Sequence, residues 1–270
     1  PPRSTLFPYT TLFRSSRLRA MDWFGCGFRN WRNTPWVKWT GKLLTDWLWK
    51  GPSLDFKAVR EVMVSEQIAR RGVRNPRVLD AMRRIPRHLF LPEDARDYAY
   101  LDSPLRIGSE QTISQPYIVA LMTELLDVSP EDKVLDVGTG SGYQAAILGW
   151  LAREVHTIER IPELAKEAAG TLATLGYTNV QVHLGDGTLG YPEAAPYDRI
   201  LVAAAAPEVP PALLDQLAEG GRLVIPVGSR TLQRFDIWDR ADGEFRQSSS
   251  IPVVFVPLIG EGGWKSDPLD

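Results

Sequence analysis

Hydrophobic and polar positions follow two alternating patterns after residue 130. Short apolar runs, typical of buried parallel strands, occupy residues 134–137, 155–158, 180–184, 200–202 and 223–227. Segments with helical spacing lie between most of them, at residues 143–151, 162–175 and 211–218, the last ended by Gly220-Gly221 as a C-cap. Because parallel strands need crossover connections, this order predicts a doubly wound, mostly parallel α/β fold.

The segments before and after the predicted parallel strands are predicted to have different secondary structure. Residues 235–239 and 252–258 have no helix between them, so they are predicted to form an antiparallel pair at the sheet edge. Residues 56–72 have helical spacing, and a second helix begins at Asn75-Pro76 and ends before Pro86. These helices predict a small N-terminal cap without a core of its own, followed by a loop over residues 87–104.

A polar loop is predicted over residues 105–117, leading into a helix over residues 116–126 that begins with Pro116. Thr112, Ser114 and Gln115 lie directly before this helix, where their polar groups could meet a ligand. The alternative is that Ser114 caps the helix, which the spacing alone favours.

Composition narrows the class of protein. The chain has 270 residues and is 44% hydrophobic, which is sufficient for a sizeable core, and it has no apolar run near the ~20 residues that span a bilayer. Its one cysteine, Cys26, excludes an internal disulfide and favours a reducing, cytoplasmic location. Three scattered histidines predict no metal site. We expect a monomer without a membrane partner.

Charge is distributed unevenly along the chain. Residues 1–50 contain nine Lys and Arg against two Asp, whereas the remainder contains 22 against 31 acids, so the two parts carry +7 and −9. An acidic body argues against nucleic acid as the main partner. Six tryptophans lie in residues 21–50, which is compatible with a membrane-surface or single-strand-binding arm. The favoured prediction is a disordered or non-native extension over residues 1–52.

Residues 133–144, K-V-L-D-V-G-T-G-S-G-Y-Q, place glycines at 138, 140 and 142 between a strand and a helix. Unpaired N–H groups at such a turn form a cradle for a nucleotide. The spacing is not the dinucleotide fingerprint, because Tyr143 replaces its third glycine, and no P-loop lysine follows. Acids at three predicted strand ends, Asp136, Glu159 and Asp186, strengthen the prediction of a nucleoside site.

Longer motifs resemble a known family. They are I-G-S-E-Q-T-I-S-Q-P (107–116), V-G-T-G-S-G-Y-Q-A-A (137–146), G-D-G-T-L-G-Y (185–191), G-G-R-L-V-I-P-V-G (220–228) and F-V-P-L (255–258). From about residue 56 to residue 258 the chain is similar to the protein-L-isoaspartate O-methyltransferases, although Ser109-Glu110 departs from their usual glycine-containing stretch. The resemblance implies a Rossmann-like, seven-stranded methyltransferase domain over residues 105–260, after a cap over residues 53–104 and before a tail over residues 261–270.

The resemblance also implies a cofactor and site residues. The cofactor is S-adenosyl-L-methionine, which becomes S-adenosyl-L-homocysteine, and the catalytic residue is Ser114. Glu159 would hold the ribose, and Asp186 with Gly187 the adenine. The full implied cofactor-binding set is Thr112, Ile113, Ser114, Asp136, Gly138, Thr139, Gly140, Gly142, Glu159, Arg160, Asp186 and Gly187.

The implied substrate is the free carboxylate of an isoaspartyl residue in a damaged protein or peptide, whose methyl ester re-forms a succinimide. A carboxylate with a pKa of about 4 is ionised at pH 7, so it needs no general base. We therefore expect alignment and desolvation to supply most of the catalysis, with Ser114 orienting one carboxylate oxygen.

Three alternatives remain. A methyltransferase of the same fold could act on RNA or a small metabolite, with the positive arm contacting phosphates. A module could bind the cofactor without turnover, although the intact T-I-S-Q-P loop argues against this. A nicotinamide dehydrogenase would lack both its third glycine and a catalytic residue.

Overall fold

The structure, a computed structural model, describes residues 55–265, which belong to one compact unit, Leu54–Asp270. Within these residues the strands are β1 (Leu105–Gly108), β2 (Gln111–Ile113), β3 (Lys133–Val137), β4 (Glu154–Glu159), β5 (Val180–Leu184), β6 (Tyr197–Val202), β7 (Leu217–Gly228), β8 (Gln233–Ala241) and β9 (Glu244–Val253). Strands β3 to β9 form one sheet in the order β5-β4-β3-β6-β7-β8-β9. Strand β8 runs antiparallel to both of its neighbours, β7 and β9, and the other strand pairs of this sheet are parallel. This confirms the predicted mostly parallel sheet with an antiparallel edge pair.

Helices and apolar side chains cover both faces of this sheet. The α-helices of the described residues are α1 (Phe56–Val62), α2 (Pro76–Arg84), α3 (Pro116–Leu126), α4 (Tyr143–Leu151), α5 (Pro162–Thr174) and α6 (Pro211–Asp215). Val134 of β3 belongs to one buried hydrophobic cluster, and Leu135 and Val137 belong to another. Since successive strand residues point to opposite faces, β3 is buried on both sides, as a doubly wound fold requires.

The N-terminal helical cap is present and packs into the main core. After α1 the helix continues as a π-helical segment, Met63–Ile68, and a 3₁₀ turn, Ala69–Arg71, and it ends at Gly72 with φ 109°. Met63 and Met82 are fully buried in the same cluster as Val134, so the cap shares a core with the sheet. The predictions for residues 1–52 lie outside the described residues.

The helix predicted over residues 211–218 is too long. Helix α6 ends at Asp215, and β7 already begins at Leu217. Gly220-Gly221 therefore lies within a strand and is not a helix C-cap. Leu217 pairs with Tyr197, and Arg222 pairs with Arg199, so β7 bulges between these pairs. Glycine is favoured both at such a bulge and at a helix end because it readily adopts a positive φ, as Gly220 does here with φ 75°. The sequence signal for the two structures is therefore the same.

The last predicted strand was placed too late. Strand β9 spans Glu244–Val253 and not residues 252–258, and β8 extends beyond the predicted 235–239. The two strands are joined by Asp242 (φ 57°) and Gly243 (φ 75°), the conformation of a tight hairpin turn. Leu258 has left the sheet edge, and its N–H donates to the carbonyl of Ala205 at 2.7 Å.

Two segments predicted as loops contain regular structure. Strands β1 and β2 form an antiparallel hairpin at residues 105–113, and its turn residues are Ser109 (φ 44°) and Glu110 (φ 58°). Residues 87–104 contain two 3₁₀ helices, Arg87–Phe90 and Glu93–Tyr98.

Neither a membrane-spanning helix nor a metal cluster occurs in residues 55–265. None of their helices combines the length and apolar character needed to span a bilayer. The same residues contain no group of three His, Cys, Asp or Glu side chains placed to hold a metal ion.

Candidate active site

The glycine turn after β3 folds as its spacing predicts. Gly138, Gly140 and Gly142 have φ angles of 95°, 53° and 86°, which residues with a side chain rarely adopt. The N–H groups of Gly138 and Thr139 donate to the carbonyl of Ile158 at 2.9 and 3.1 Å, which ties the turn to β4. Gly142 starts α4 without a side-chain cap. The turn thus presents bare backbone to the space beyond the sheet.

That space is a cavity of about 600 Å³, here called the central cavity. It lies beyond the carboxyl ends of β3, β4 and β6, next to the point between β3 and β6 where strand order reverses. Ligands of open α/β sheets bind at this position. Its lining includes six predicted site residues, Thr112, Gly138, Gly140, Glu159, Arg160 and Gly187.

Glu159, at the end of β4, is the acid that contacts the glycine turn directly. Its side chain is buried, Oε2 accepts the N–H of Gly140 at 2.9 Å, and Oε1 accepts that of Ile161 at 3.0 Å. These bonds fix the carboxylate against the glycine turn. Each carboxylate oxygen can accept more than one hydrogen bond, so Glu159 can still receive two hydroxyl groups of a ribose.

Asp136 is fully buried beneath the turn and does not line the cavities described here. Its Oδ2 accepts the hydroxyl of Thr157 at 2.9 Å, and that hydroxyl is 2.7 Å from the hydroxyl of Thr139. Oδ1 has no hydrogen-bond partner in the described part of the chain. Burial raises the pKa of Asp136 to about 7, against the lowering effect of Thr157 and with a further rise from Glu159.

Asp186 is occupied by contacts within the chain. Its Oδ1 accepts the N–H and the hydroxyl of Thr188, and Oδ2 accepts the N–H of Glu261 at 2.7 Å. Burial raises the pKa of Asp186, but the hydrogen bonds from Glu261 and Thr188 outweigh it, so the pKa lies below its usual value. Glu261, predicted to begin a tail, is thereby held to the turn that follows β5. Gly187 lines the central cavity and Asp186 does not.

Ser114 does not cap α3. The N-cap is Gln115, which makes no side-chain cap hydrogen bond. The Ser114 hydroxyl forms no hydrogen bond within the described residues, while its carbonyl accepts Nη2 of the fully buried Arg87 at 2.8 Å. The loop that carries Ser114 is therefore fixed, and its hydroxyl is available to a ligand.

Ser114 lies where two further hollows meet. One, the small cavity of about 40 Å³, is enclosed between residues 112–114 and the glycine turn, and includes Ile113 and Thr139. The other, the outer groove of about 660 Å³, extends from Ser114 along residues 251–256. Two residues, Thr112 and Ala203, line both of these hollows and the central cavity.

Ala203 is the main residue that the sequence prediction missed. It directly follows β6, and its backbone N–H donates to the carbonyl of Val137 at 2.8 Å. The run of small residues at 203–206 after an apolar strand is the signal that could have indicated it. Residues 256–259 and Arg230 also line the central cavity without having been predicted.

Comparison with known proteins identifies the family that has this geometry. The family model described as Protein-L-isoaspartate(D-aspartate) O-methyltransferase (PCMT) matches residues 58–263. The chain belongs to the protein-L-isoaspartate O-methyltransferase family. A protein-L-isoaspartate O-methyltransferase of Methanoregula boonei is 56% identical over 207 residues, which cover 77% of this chain and 95% of that protein. One from a Synechococcus species is 54% identical over 211 residues, covering 76% and 86%.

Two solved structures of the same family also match this chain. A protein-L-isoaspartate O-methyltransferase matches with a TM-score of 0.68 and 29% identity, covering 77% of this chain and 67% of its own. A β-aspartate methyltransferase (PCMT) of Plasmodium falciparum, solved with S-adenosyl-L-homocysteine, matches with a TM-score of 0.66 and 26% identity, covering 74% and 98%. Membership of the protein-L-isoaspartate O-methyltransferase family confirms the predicted fold, enzyme class and dependence on S-adenosyl-L-methionine.

Proposed function

We propose that this chain methylates the free carboxylate of L-isoaspartyl residues in damaged proteins and peptides, using S-adenosyl-L-methionine, and so initiates their repair through a succinimide. One observation carries the proposal: Thr112 and Ala203 line the central cavity, the small cavity and the outer groove alike. A nucleoside in the central cavity and a peptide in the outer groove would therefore meet beside Ser114.

The residues present fit the cofactor. The glycine turn, with three positive φ angles, offers bare backbone to the methionine part, together with Thr139 and residues 112–114. Glu159 offers a fixed carboxylate to the ribose, and Arg160 lines the same wall. Gly187 suits the adenine, because a Cβ there would lie 2.5 Å from Val137 and displace the cavity floor. Asp186 would act at that end by holding Glu261 directly and Gly262 through the Thr188 hydroxyl, and by accepting from the adenine amine.

When bound, the cofactor would supply a sulfonium methyl group that passes to an oxygen nucleophile, with S-adenosyl-L-homocysteine as the leaving group. The side chain of Ser114 would donate a hydrogen bond to one oxygen of the substrate carboxylate and direct the other toward the small cavity. Arg87 holds the loop through the carbonyl of Ser114. Apolar walls at Ala203 and Phe255 would strip water from the carboxylate, which raises its reactivity. No side chain has to take a proton, since the carboxylate is ionised at neutral pH.

The proposal is tested by methyl transfer from labelled S-adenosyl-L-methionine to an isoaspartyl peptide and to the same peptide with normal aspartate, using the full chain. We expect label in the isoaspartyl peptide only. Label in both peptides, or in tRNA alone, would refute the proposed substrate.

The structure gives no support to RNA as the substrate. Among the described residues lining the outer groove only Arg71 carries a formal charge, whereas an RNA site needs several cations against phosphates. The same methyl-transfer assay with tRNA as the acceptor tests this, and we expect no transfer.

We further propose that the protein works as a monomer in the cytoplasm, without nucleic-acid or membrane partners. The single cysteine, Cys26, suits a reducing compartment. Light scattering after gel filtration tests the monomer, and fractionation of cells tests the location.

A further inference from the structure

Arg71 gives the outer groove its one formal charge within the described lining. The wall beside it is apolar and partly open to solvent. Leu232, Ile251 and Val254 line this wall with exposures of 59%, 37% and 73%. Exposed apolar residues gathered in one groove mark a binding surface. This groove therefore suits an extended peptide that carries apolar side chains and one anionic group.

Two neighbours hold the Arg71 side chain in place. Its guanidinium carbon lies 3.6 Å from the centre of the Tyr117 ring, the distance of a stacked cation–π contact. Its Nη1 donates to Oδ2 of Asp102 at 2.6 Å. Because both contacts fix the planar group, Arg71 would lose little side-chain entropy on receiving a second partner.

Asp102 leaves most of the guanidinium available. The Arg71 side chain is 43% exposed against 28% for Asp102, and Asp102 does not line the groove. A guanidinium has five N–H donors, and the remaining donors of Arg71 form no hydrogen bond with residues 55–265. A second acceptor can therefore bind from the groove side.

We propose that Arg71 determines substrate specificity by selecting isoaspartyl peptides that carry a further carboxylate near the methylated residue. The proposal rests on the proposed function. The reacting carboxylate is not the partner of Arg71, because methylation removes its negative charge. A cation bound to it would stabilise the reactant more than the transition state and slow the reaction.

The test compares isoaspartyl peptides that differ only by Glu or Gln at one flanking position, scanned over two positions on each side. We expect the wild-type chain to show, at one position, a KM about three- to fivefold lower for the Glu peptide at low salt, with kcat unchanged. Added salt should reduce this preference. In Arg71→Met the preference should disappear.

Arg70→Met is the matched control. Arg70 is the preceding residue, its side chain is 77% exposed, and it pairs with Glu66 at 2.8 Å away from the groove lining. This variant should keep the full preference for Glu.

Three results would overturn the specificity role alone. Equal KM for Glu and Gln peptides at every position in the wild-type chain would exclude it, while methylation of both would leave the proposed function standing. An unchanged preference in Arg71→Met would also exclude it. An equal loss of kcat for both peptides in that variant, with a lower melting temperature, would assign Arg71 a structural role. If no isoaspartyl peptide is methylated at all, the proposed function fails and this inference with it.

Discussion

Arg87 donates a hydrogen bond from its fully buried guanidinium to the backbone carbonyl of Ser114 at 2.8 Å. Its Nε donates to the carbonyl of Ala99, also at 2.8 Å, and it forms no ion pair within the described residues. Burial lowers the pKa of Arg87 to about 10, so the side chain stays charged at neutral pH. A buried cation thus fixes the loop whose hydroxyl faces the outer groove.

Arg87→Met should therefore impair catalysis as well as folding. It leaves the buried carbonyl of Ala99 and the partly buried carbonyl of Ser114 without donors, which should lower the free energy of unfolding by about 2 to 4 kcal/mol. Displacement of the Ser114 loop should lower kcat by about 10- to 100-fold. Urea unfolding and methyl-transfer kinetics measure the two effects.

Arg77→Met separates these effects. Arg77 also donates to two backbone carbonyls, those of Val128 and Leu151, but it lines none of the three hollows. This variant should lose stability and keep kcat. If both variants lose kcat in proportion to stability, Arg87 has no positioning role.

Ser114→Ala should lower kcat by about 10- to 100-fold, because without this hydrogen bond the attacking carboxylate oxygen is no longer aligned with the methyl group. Affinity for S-adenosyl-L-methionine, measured by calorimetry, should stay nearly constant. Ser141→Ala, at a second serine of the small cavity, should keep kcat. An equal loss of kcat and cofactor affinity in Ser114→Ala would refute the orienting role.

Asp186→Ala should weaken cofactor binding in the same calorimetric assay. Thr188→Val is the informative companion, because it removes the hydroxyl that donates to Asp186 and accepts from Gly262. Equal weakening in both variants would place the effect in the bonds of the Thr188 hydroxyl, whereas weakening in Asp186→Ala alone would place it at Asp186 itself, in its bond from the N–H of Glu261 or in a direct adenine contact. Unchanged affinity in Asp186→Ala would refute any role at the adenine.

Asp136 should make stability fall as pH rises from about 4 to about 7. Its folded-state pKa of about 7 lies above the usual value of 3.8, so the folded state binds more protons than the unfolded state in this window. Folding is thus opposed once the carboxyl ionises. Asp136→Asn removes this titration, so its stability relative to wild type should increase from pH 5 to pH 8 in urea unfolding. A constant difference between the two would contradict the raised pKa.

Two hairpin turns with similar conformations give a paired stability test. Asp242-Gly243 has φ angles of 57° and 75°, and Ser109-Glu110 has 44° and 58° without a glycine. Left-handed backbone costs a residue with a side chain about 1–2 kcal/mol, so Glu110→Gly should raise the free energy of unfolding by about 1 kcal/mol. Gly243→Glu should lower it by a similar amount. A lower melting temperature for Glu110→Gly would show that Glu110 makes a compensating contact.

Much of the candidate site was predictable because its proposed chemistry depends on backbone conformation and strand ends. Positive φ angles need glycine, so the turn at residues 138–142 is visible in the sequence itself. Glu159 is visible because it ends an apolar strand. Of the twelve predicted site residues, only Asp136, Gly142 and Asp186 do not line the three hollows, and these support the walls.

The parts that were missed depend on contacts between distant segments. Strand β9 is an exposed edge with the sequence S-S-S in it, so it lacks the apolar alternation by which strands are recognised. Ala203 carries no functional group, and its position beside the glycine turn follows from the pairing of β6 with β3. Arg71, Tyr117 and Asp102 meet only after folding.

The single methyl group of Ala203 sets how inhibitors of this protein can be built. Since it borders all three hollows, a molecule that joins adenosine to a short peptide by a slim linker can pass it. We expect a branched or aromatic linker to fit less well beside it. The space for the linker beside Ala203, more than the affinity of the adenosine or peptide part, should limit how tightly such bisubstrate compounds bind.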